Sequence, residues 1–306
     1  MNSTFATRVY ASLELMRPAN VVTAFADILA GAAIAVGVLN ISAPDSVVYP
    51  FNTDLVFLLL STFGLYGGGI VFNDVFDADL DAIERPERAI PSGRISKMAA
   101  SILGLALFII GVFSAWLVDE VAGFIAFTVA LAALLYDYKA KHHPVFGPLV
   151  MGGCRAGNLM LGVAIMPAAL WSAWAIAFLP VLYIGSITLI SRGEVHGGSS
   201  VTSYLATMAV SVVVAVLFGL SLIESYQMST AAPFAILFGG MVLPAFASAG
   251  SDPVPGKIKK AVKRGVISLI ILNSAIAGGF AGYSIGLLVL ALLPFSFLLS
   301  RMFDVT

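Results

Sequence analysis

A run of polar and charged residues, 73–94, follows directly on the second apolar stretch of this chain. Within it Asn73, Asp77 and Asp81 recur every four residues, so on a helix each is displaced by only about 40° around the axis from the one before. Asp74 lies beside this acidic stripe. Mg²⁺ takes oxygen ligands and usually reaches a protein through one or two carboxylates plus substrate phosphates. The spacing therefore predicts a site for Mg²⁺ and a phosphorylated ligand at the end of a membrane helix.

Three basic residues follow the stripe at Arg85, Arg88 and Arg94 and supply positive charge for a phosphate. The alternative is an ordinary solvated loop. Such a loop has no reason to keep a four-residue register of amide and carboxylate groups, so the site is the favoured interpretation.

A second polar cluster, with Tyr136 and Lys141, follows the fourth apolar stretch. A hydroxyl and an ammonium group can both bind phosphate oxygens. An aromatic and basic belt at the membrane interface explains the same residues equally well. His142 and His143 lack the Cys/His pattern of a metal site and are interpreted as interface residues.

Arg155 and Asn158 lie three residues apart in the fifth apolar stretch, so they face the same way on a helix. An unpaired arginine within the membrane costs at least about 2.5 kcal/mol, so Arg155 should face an anion. A bound diphosphate is the favoured partner, and a structural pair with Asp27 of the first apolar stretch is the alternative.

Two weaker signals come from the ends of the first and sixth apolar stretches. Pro18 suits the first turn of a helix, which leaves Asn20 just inside the membrane without a structural explanation. Ser191, Arg192 and Glu194 open a polar segment after the sixth stretch, where a glycine-rich turn is the simpler account.

The composition indicates which elements must position these residues. The chain of 306 residues is 59% hydrophobic and only 11% charged, whereas about a quarter of the residues of soluble proteins are charged. We therefore predict one all-α, multi-pass membrane domain over residues 1–306, with nine to ten helices and no nucleic-acid partner. Ten apolar stretches approach the ~20 residues that cross a bilayer: 19–39, 55–73, 98–118, 121–136, 145–167, 171–190, 204–223, 231–250, 264–282 and 284–301.

The Lys and Arg residues predict the orientation of the chain. If the N-terminus is cytoplasmic, 15 of the 16 basic residues fall in cytoplasmic connections, whereas the opposite connections carry acidic residues such as Asp45 and no Lys or Arg. This bias follows the positive-inside rule and favours an even number of spans in the cytoplasmic membrane, with both termini cytoplasmic. A nine-span version, whose last segment lies on the surface or is re-entrant, is the alternative.

The chain resembles the UbiA superfamily of intramembrane prenyltransferases. The resemblance is carried by Arg-Pro-Ala-Asn at 17–20, by the acidic stripe with Arg85, Arg88 and the following Pro-Ser-Gly-Arg, and by Tyr136 with Lys141. The run from Val75 to Arg88 is similar to the EboC-like subgroup.

This resemblance implies a helical bundle around a central cavity that opens to lipid and has a cytoplasmic cap. It also implies Mg²⁺-dependent transfer of a prenyl group from an isoprenyl diphosphate to an aromatic or other lipophilic acceptor. By matching position, Mg²⁺ and the diphosphate would be held by Asn73, Asp77 and Asp81. The diphosphate would also contact Arg88, Tyr136 and Lys141, with Asn20 near the site.

The chain departs from the family at the end of the sixth helix. Members carry a second Asp-x-x-x-Asp motif there, whereas this chain has Glu194 as the only acid in the corresponding segment. Glu194 would substitute as a metal ligand, Ser191 would add a hydroxyl, and Arg155 and Arg192 would offset diphosphate charge. Two alternatives to catalysis stay open: a relative that binds a polyprenyl diphosphate without turnover, and a lipid or metabolite transporter.

Overall fold

The computed structural model describes residues 2–42 and 52–302, and within these ranges the regular structure is entirely helical. Asp45 lies outside them. The helices are α1 (Asn2–Met16), α2 (Pro18–Ser42), α3 (Thr53–Phe76), α4 (Ala78–Glu84), α5 (Lys97–Trp116), α6 (Glu120–Tyr138), α7 (Phe146–Val163), α8 (Leu170–Ala173), α9 (Phe178–Ser191), α10 (Ser200–Gly219), α11 (Met228–Ser251), α12 (Pro255–Ala281), α13 (Tyr283–Leu290) and α14 (Leu292–Leu299).

Eight helical segments in the described ranges are long and apolar enough to cross a membrane, and they match eight of the ten apolar stretches of the sequence. The stretch 145–167 forms α7, whose mean hydropathy is lowered by Arg155 and Asn158. The last stretch is two short helices, α13 and α14, that meet at Ala291. The predicted all-α bundle of nine to ten apolar segments is therefore confirmed, with its last segment interrupted.

The start of one helix lies well before the predicted apolar stretch, and one further helix was not predicted. Helix α12 begins at Pro255 rather than at 264, because the basic turns before the apolar stretch are also helical and a proline suits the first helical position. Helix α1 was not predicted, since its 15 residues have no long apolar run.

Helices α2 and α12 lie at the centre of the bundle, each with 83% of its membrane window buried. Small residues let the backbones around α2 approach closely, as is common where membrane helices pack. A Cβ at Gly31 of α2 would overlap the Leu159 carbonyl of α7, and a Cβ at Gly162 of α7 would overlap the Ile28 carbonyl of α2. This contact fixes α7 against the central helix.

A cap of α1, α4 and the loop 85–96 covers one end of α3 and α5. Its apolar core includes Leu15 of α1, Ala89 of the loop and Val71 of α3. An ion pair between Glu14 and Arg94 joins α1 to the loop, and the hydrogen bonds that Arg94 donates to the Glu14 carboxylate raise the pKa of Arg94. The cap thus brings the loop that follows the acidic stripe back against the bundle.

Candidate active site

The acidic stripe keeps its helical register across the boundary between α3 and α4. The Asp77 N–H donates to the Asn73 carbonyl at 3.0 Å, and the Asp81 N–H donates to the Asp77 carbonyl at 2.8 Å. Although α3 ends at Phe76, these bonds hold Asn73, Asp77 and Asp81 on successive turns. The register inferred from the spacing is therefore present in the structure.

Every carboxylate of the stripe is paired with a cation from another segment. Lys141 Nζ lies 2.5 Å from Asp77 Oδ1, and Arg88 Nη1 lies 2.7 Å from Asp81 Oδ2. Asp74 Oδ1 accepts from Arg17 at 2.8 Å and lies 3.5 Å from Arg88. The turn after α6, the loop after α4 and the α1–α2 joint therefore all converge on the stripe.

Arg17 reaches Asp74 from an unusual backbone conformation. Its φ is +44°, between α1 and Pro18. A residue before proline is disfavoured in the right-handed helical region, and a left-handed residue other than glycine costs about 1–3 kcal/mol. The Arg17 N–H bond to the Glu14 carbonyl, at 3.1 Å, and the Asp74 ion pair hold this joint. Arg17 belongs to the Arg-Pro-Ala-Asn segment of the sequence, but its position along the chain does not predict its contact with the stripe.

Asp137 is a further acid that sequence reasoning did not assign. It lies near the end of α6, is 4% exposed, and accepts a 2.8 Å hydrogen bond from the Asn73 amide. A carboxylate at the end of an apolar stretch, next to Tyr136, was the available signal. Its bond to Asn73 links the second polar cluster to the stripe.

A cavity of about 300 Å³ lies beside this network, between α2, α3, α6 and α7. Its polar end carries Arg17, Asn20, Asn73, Tyr136 and Asp137. The remaining lining residues are Thr62, Leu65, Tyr66, Gly69, Ile70, Val129, Ala133, Met151, Cys154, Arg155 and Asn158. The structure thus brings Asn20 and Tyr136 to the same cavity wall as Asn73.

Arg155 lines this cavity and is paired with a protein carboxylate. Its guanidinium donates to Asp27 at 2.6 Å and to the Thr23 hydroxyl at 2.5 Å, and it lies 4.8 Å from the centre of the Tyr66 ring. The structural pair with Asp27, which the sequence left as the alternative, is therefore present. Direct contact of Arg155 with a diphosphate stays a prediction.

Asn158 belongs to the same buried network. Its amide donates to Asp27 at 3.0 Å, and its oxygen accepts from the Thr62 hydroxyl at 2.6 Å. Asn273 of α12 donates to the other oxygen of Asp27 at 2.7 Å. The Asp27 carboxylate thus connects α2 to α7 and α12. Thr62 connects α3 to the same network through its bond to Asn158.

The residues at the end of α9 have separate partners. The Ser191 hydroxyl donates to the Thr188 carbonyl at 3.0 Å. Arg192 donates to the carbonyls of Lys141 and His143 at 3.1 and 2.6 Å, so it holds the turn that presents Lys141. Glu194 is buried, which raises its pKa, while the charges of Arg85 and Lys259 oppose that shift.

The oxygen atoms of the stripe have the chemistry that Mg²⁺ requires, because it is a hard cation that prefers carboxylate and carbonyl oxygens. In the described ranges no three His, Cys, Asp or Glu side chains converge as a ready-made metal site. The carboxylates instead point at Arg17, Arg88 and Lys141. These carboxylates fit Mg²⁺ as ligands once they release the three cations, which would then contact phosphate oxygens instead.

Comparisons with known proteins agree with this arrangement. Residues 28–262 match the sequence profile of the UbiA prenyltransferase family. The digeranylgeranylglyceryl phosphate synthase of Methanococcoides burtonii is 35% identical over 158 residues, which cover 51% of this chain and 55% of that protein. The synthase of Sulfurisphaera tokodaii is 32% identical over 209 residues, 67% of this chain and 70% of that protein. The match to the first of these spans only about half of the relative's length.

Solved structures share the fold. A digeranylgeranylglyceryl phosphate synthase superimposes with a TM-score of 0.64 at 22% identity, covering 90% of this chain and 99% of that one. A UbiA homologue from Archaeoglobus fulgidus bound to GPP and Mg²⁺ superimposes with a TM-score of 0.65 at 14% identity, covering 92% and 99%. At these identities the likeness concerns the fold, and the EboC-like resemblance stays a prediction.

Proposed function

The chain belongs to the UbiA prenyltransferase family, and from that premise we propose that it transfers an isoprenyl group from an isoprenyl diphosphate to an aromatic or other lipophilic acceptor within the membrane. The observation that carries the proposal is the cavity between α2, α3, α6 and α7, whose polar end contains Asn73 of the acidic stripe and Arg17, the cation that pairs with Asp74. A prenyl diphosphate has the matching form, with an anionic head and a hydrocarbon tail.

In this proposal the diphosphate is bound by cations that now pair with the stripe. Arg17, Arg88 and Lys141 can turn from carboxylate to phosphate oxygens, and arginine suits bidentate phosphate contacts. Tyr136 and Asn20 contact the same group from the cavity wall. Arg192 acts through the Lys141 turn rather than by direct contact.

The carboxylates freed by this exchange would hold Mg²⁺. Asn73, Asp77 and Asp81 are its proposed ligands, with Asp74 beside them and Glu194 as the remaining acid of the degenerate second motif. Mg²⁺, when bound, would stabilise negative charge on the departing diphosphate. The A. fulgidus homologue bound to GPP and Mg²⁺ supports this cofactor for the family fold.

The chain's own residues then support the reaction in two ways. The C–O bond between the prenyl carbon and the diphosphate breaks with its electron pair going to the diphosphate, and the three cations stabilise that charge. The acceptor forms the new bond to the same carbon and loses a proton, which the released diphosphate accepts. Leu65, Ile70 and Val129 line the cavity and exclude water that would otherwise capture the prenyl carbon.

The relatives support a lipid as the acceptor. Their name, digeranylgeranylglyceryl phosphate synthase, refers to a prenylated glyceryl phosphate. We therefore propose a lipophilic acceptor that enters from the bilayer, and no soluble acceptor is required.

The test is binding of geranylgeranyl diphosphate to the purified full chain with Mg²⁺. We expect Asp77→Asn and Asp81→Asn each to weaken Mg²⁺-dependent binding by about 10- to 100-fold, the usual loss when a residue that supports a metal site is replaced. The matched control is Asp79→Asn on the same helix, because the Asp79 side chain is 97% exposed and lies 3.8 Å from Lys97. Unchanged Mg²⁺-dependent binding in Asp77→Asn would refute the metal assignment.

A second candidate is a protein that binds the prenyl diphosphate without turnover. The observation that favours it is the second motif, where Glu194 is the only acid and the charges of Arg85 and Lys259 act to lower its pKa. Release of diphosphate on adding geranylgeranylglyceryl phosphate identifies the enzyme. Tight binding without release, across a panel of lipid and aromatic acceptors, identifies the binding protein.

A further inference from the structure

A groove of about 550 Å³ lies on the outside of the bundle, between α11, α12 and α14. Its residues are Gly240, Met241, Lys260, Lys263, Arg264, Ile267 and Phe297. None of them lines the cavity beside the acidic stripe. The groove is therefore separate from the proposed reaction site.

The cations of the groove lie on one face of α12. Lys260, Lys263 and Arg264 are spaced i, i+3 and i+4, which on a helix brings their side chains together. Their neighbour Lys257 pairs with Asp252 at 2.9 Å. No ion pair to Lys260, Lys263 or Arg264 occurs among the residues that the structure describes, so three positive charges share one groove without a carboxylate.

The groove lies where the basic first turns of α12 meet its apolar stretch, which begins at Arg264. Gly240 of the neighbouring α11 lies eleven residues before the end of that helix, about 16 Å along its axis. Phe297, which is exposed, lines the same groove. Basic clusters next to an apolar membrane segment attract anionic lipid head groups.

The floor of the groove is apolar and open. Met241, Ile267 and Phe297 offer hydrocarbon and aromatic surface, and a Cβ at Gly240 would meet no atom within 4 Å. The groove thus combines a cationic rim with an apolar floor, the form expected of basic pockets between membrane helices that bind anionic lipid head groups.

We propose that this groove binds a membrane phospholipid with an anionic head group. The lipid phosphate lies against Lys260, Lys263 and Arg264, and an acyl chain lies along Gly240, Met241 and Phe297. The proposal does not depend on the prenyl transfer, because it uses different helices.

The test is the thermal unfolding of the full chain in a neutral detergent with added short-chain phosphatidylglycerol. We expect this lipid to raise the Tm, whereas phosphatidylcholine and inorganic phosphate at equal concentration leave it unchanged. An equal shift with inorganic phosphate would overturn the lipid assignment, since a free anion would then suffice.

Two variants locate the effect. Lys260→Gln with Lys263→Gln should weaken phosphatidylglycerol binding about thirtyfold, and Gly240→Leu should abolish the shift with all charges intact because it fills the floor. The controls are Lys97→Gln with Lys139→Gln, which removes two exposed lysines outside the groove, and Gly153→Leu, at another exposed glycine with open space. If the control pair loses the shift as fully as the groove variants, the proposal is wrong.

Discussion

Each carboxylate of the acidic stripe is held by a cation from a different segment, so these side chains position one another. Lys141 is the cation of the Asp77 pair, and Arg192 holds the Lys141 turn through two backbone carbonyls. The same cations would meet the diphosphate. In the proposed function, ligand binding would therefore exchange the ion-pair partners of these side chains, so that each charge has an opposite charge before and after binding.

Replacing Lys141 tests this exchange. We expect Lys141→Gln to weaken geranylgeranyl diphosphate binding by about tenfold or more, because one charge-assisted phosphate contact is lost. The matched control is Lys139→Gln, an exposed lysine two residues away. Equal affinities of the two variants in a titration with Mg²⁺ would contradict the assignment of Lys141.

The buried Asp27 pair makes a prediction about stability. Asp27→Asn leaves the Arg155 charge inside the bundle without its carboxylate, and breaking a buried pair costs about 3–5 kcal/mol. Thermal unfolding in detergent should show a large fall in Tm. Lys257→Gln, which breaks the exposed pair with Asp252, should change the Tm little; a similar fall in both would argue against a special role for the buried network.

At the scale of helices, the site depends on how closely α7 approaches α2. Gly31 and Gly162 allow this contact, because a side chain at either position would overlap the backbone of the other helix. Since α7 carries Arg155 and Asn158 to the cavity, a displaced α7 would change the cavity wall. The packing of α2 against α7 therefore affects the shape of the cavity.

We expect Gly162→Ala to destabilise the protein by about 1–3 kcal/mol, the usual cost of overpacking. Gly153→Ala, on the same helix but with no atom within 4 Å of the new Cβ, should be neutral or slightly stabilising. Their Tm values in one detergent provide the comparison, and equal values would show that the α2–α7 contact tolerates a methyl group.

At the scale of the whole molecule, the site joins the cap to the bundle. Arg17 lies between α1 and α2, Arg88 in the loop after α4, and Lys141 in the turn after α6. A ligand that contacts all three should oppose separation of these segments. Binding should then be visible as global stabilisation.

We expect geranylgeranyl diphosphate with Mg²⁺ to stabilise the protein by about 2.7 kcal/mol at a hundredfold excess over its Kd. Chelation of Mg²⁺ should remove most of this gain, and geranylgeraniol, which lacks the diphosphate, should give little. A Tm shift that persists under chelation would mean that the cations alone bind the ligand.

The sequence by itself determined the fold class and the acidic stripe. Long apolar stretches predict membrane helices because unpaired backbone groups are costly in lipid. Residues spaced four apart lie on one face of a single helix, so their proximity follows from the sequence alone. Asn73, Asp77 and Asp81 could therefore be predicted without any knowledge of tertiary contacts. The interruption at Ala291 could not be predicted, because the residues on both sides of it are similarly apolar. Helix α1 could not be predicted either, because it contains no long apolar run.

Only the tertiary structure decided which residues meet. Arg155 could have faced a diphosphate or Asp27, and its pairing depends on the packing of α7 against α2. Asp137 bonds to Asn73, which is 64 residues away along the chain, and Arg17 bonds to Asp74, which is 57 residues away. The spacing of residues within one helix does not predict contacts at such separations. The sequence specifies charges and helices, whereas the packing of helices specifies the partner that neutralises each charge.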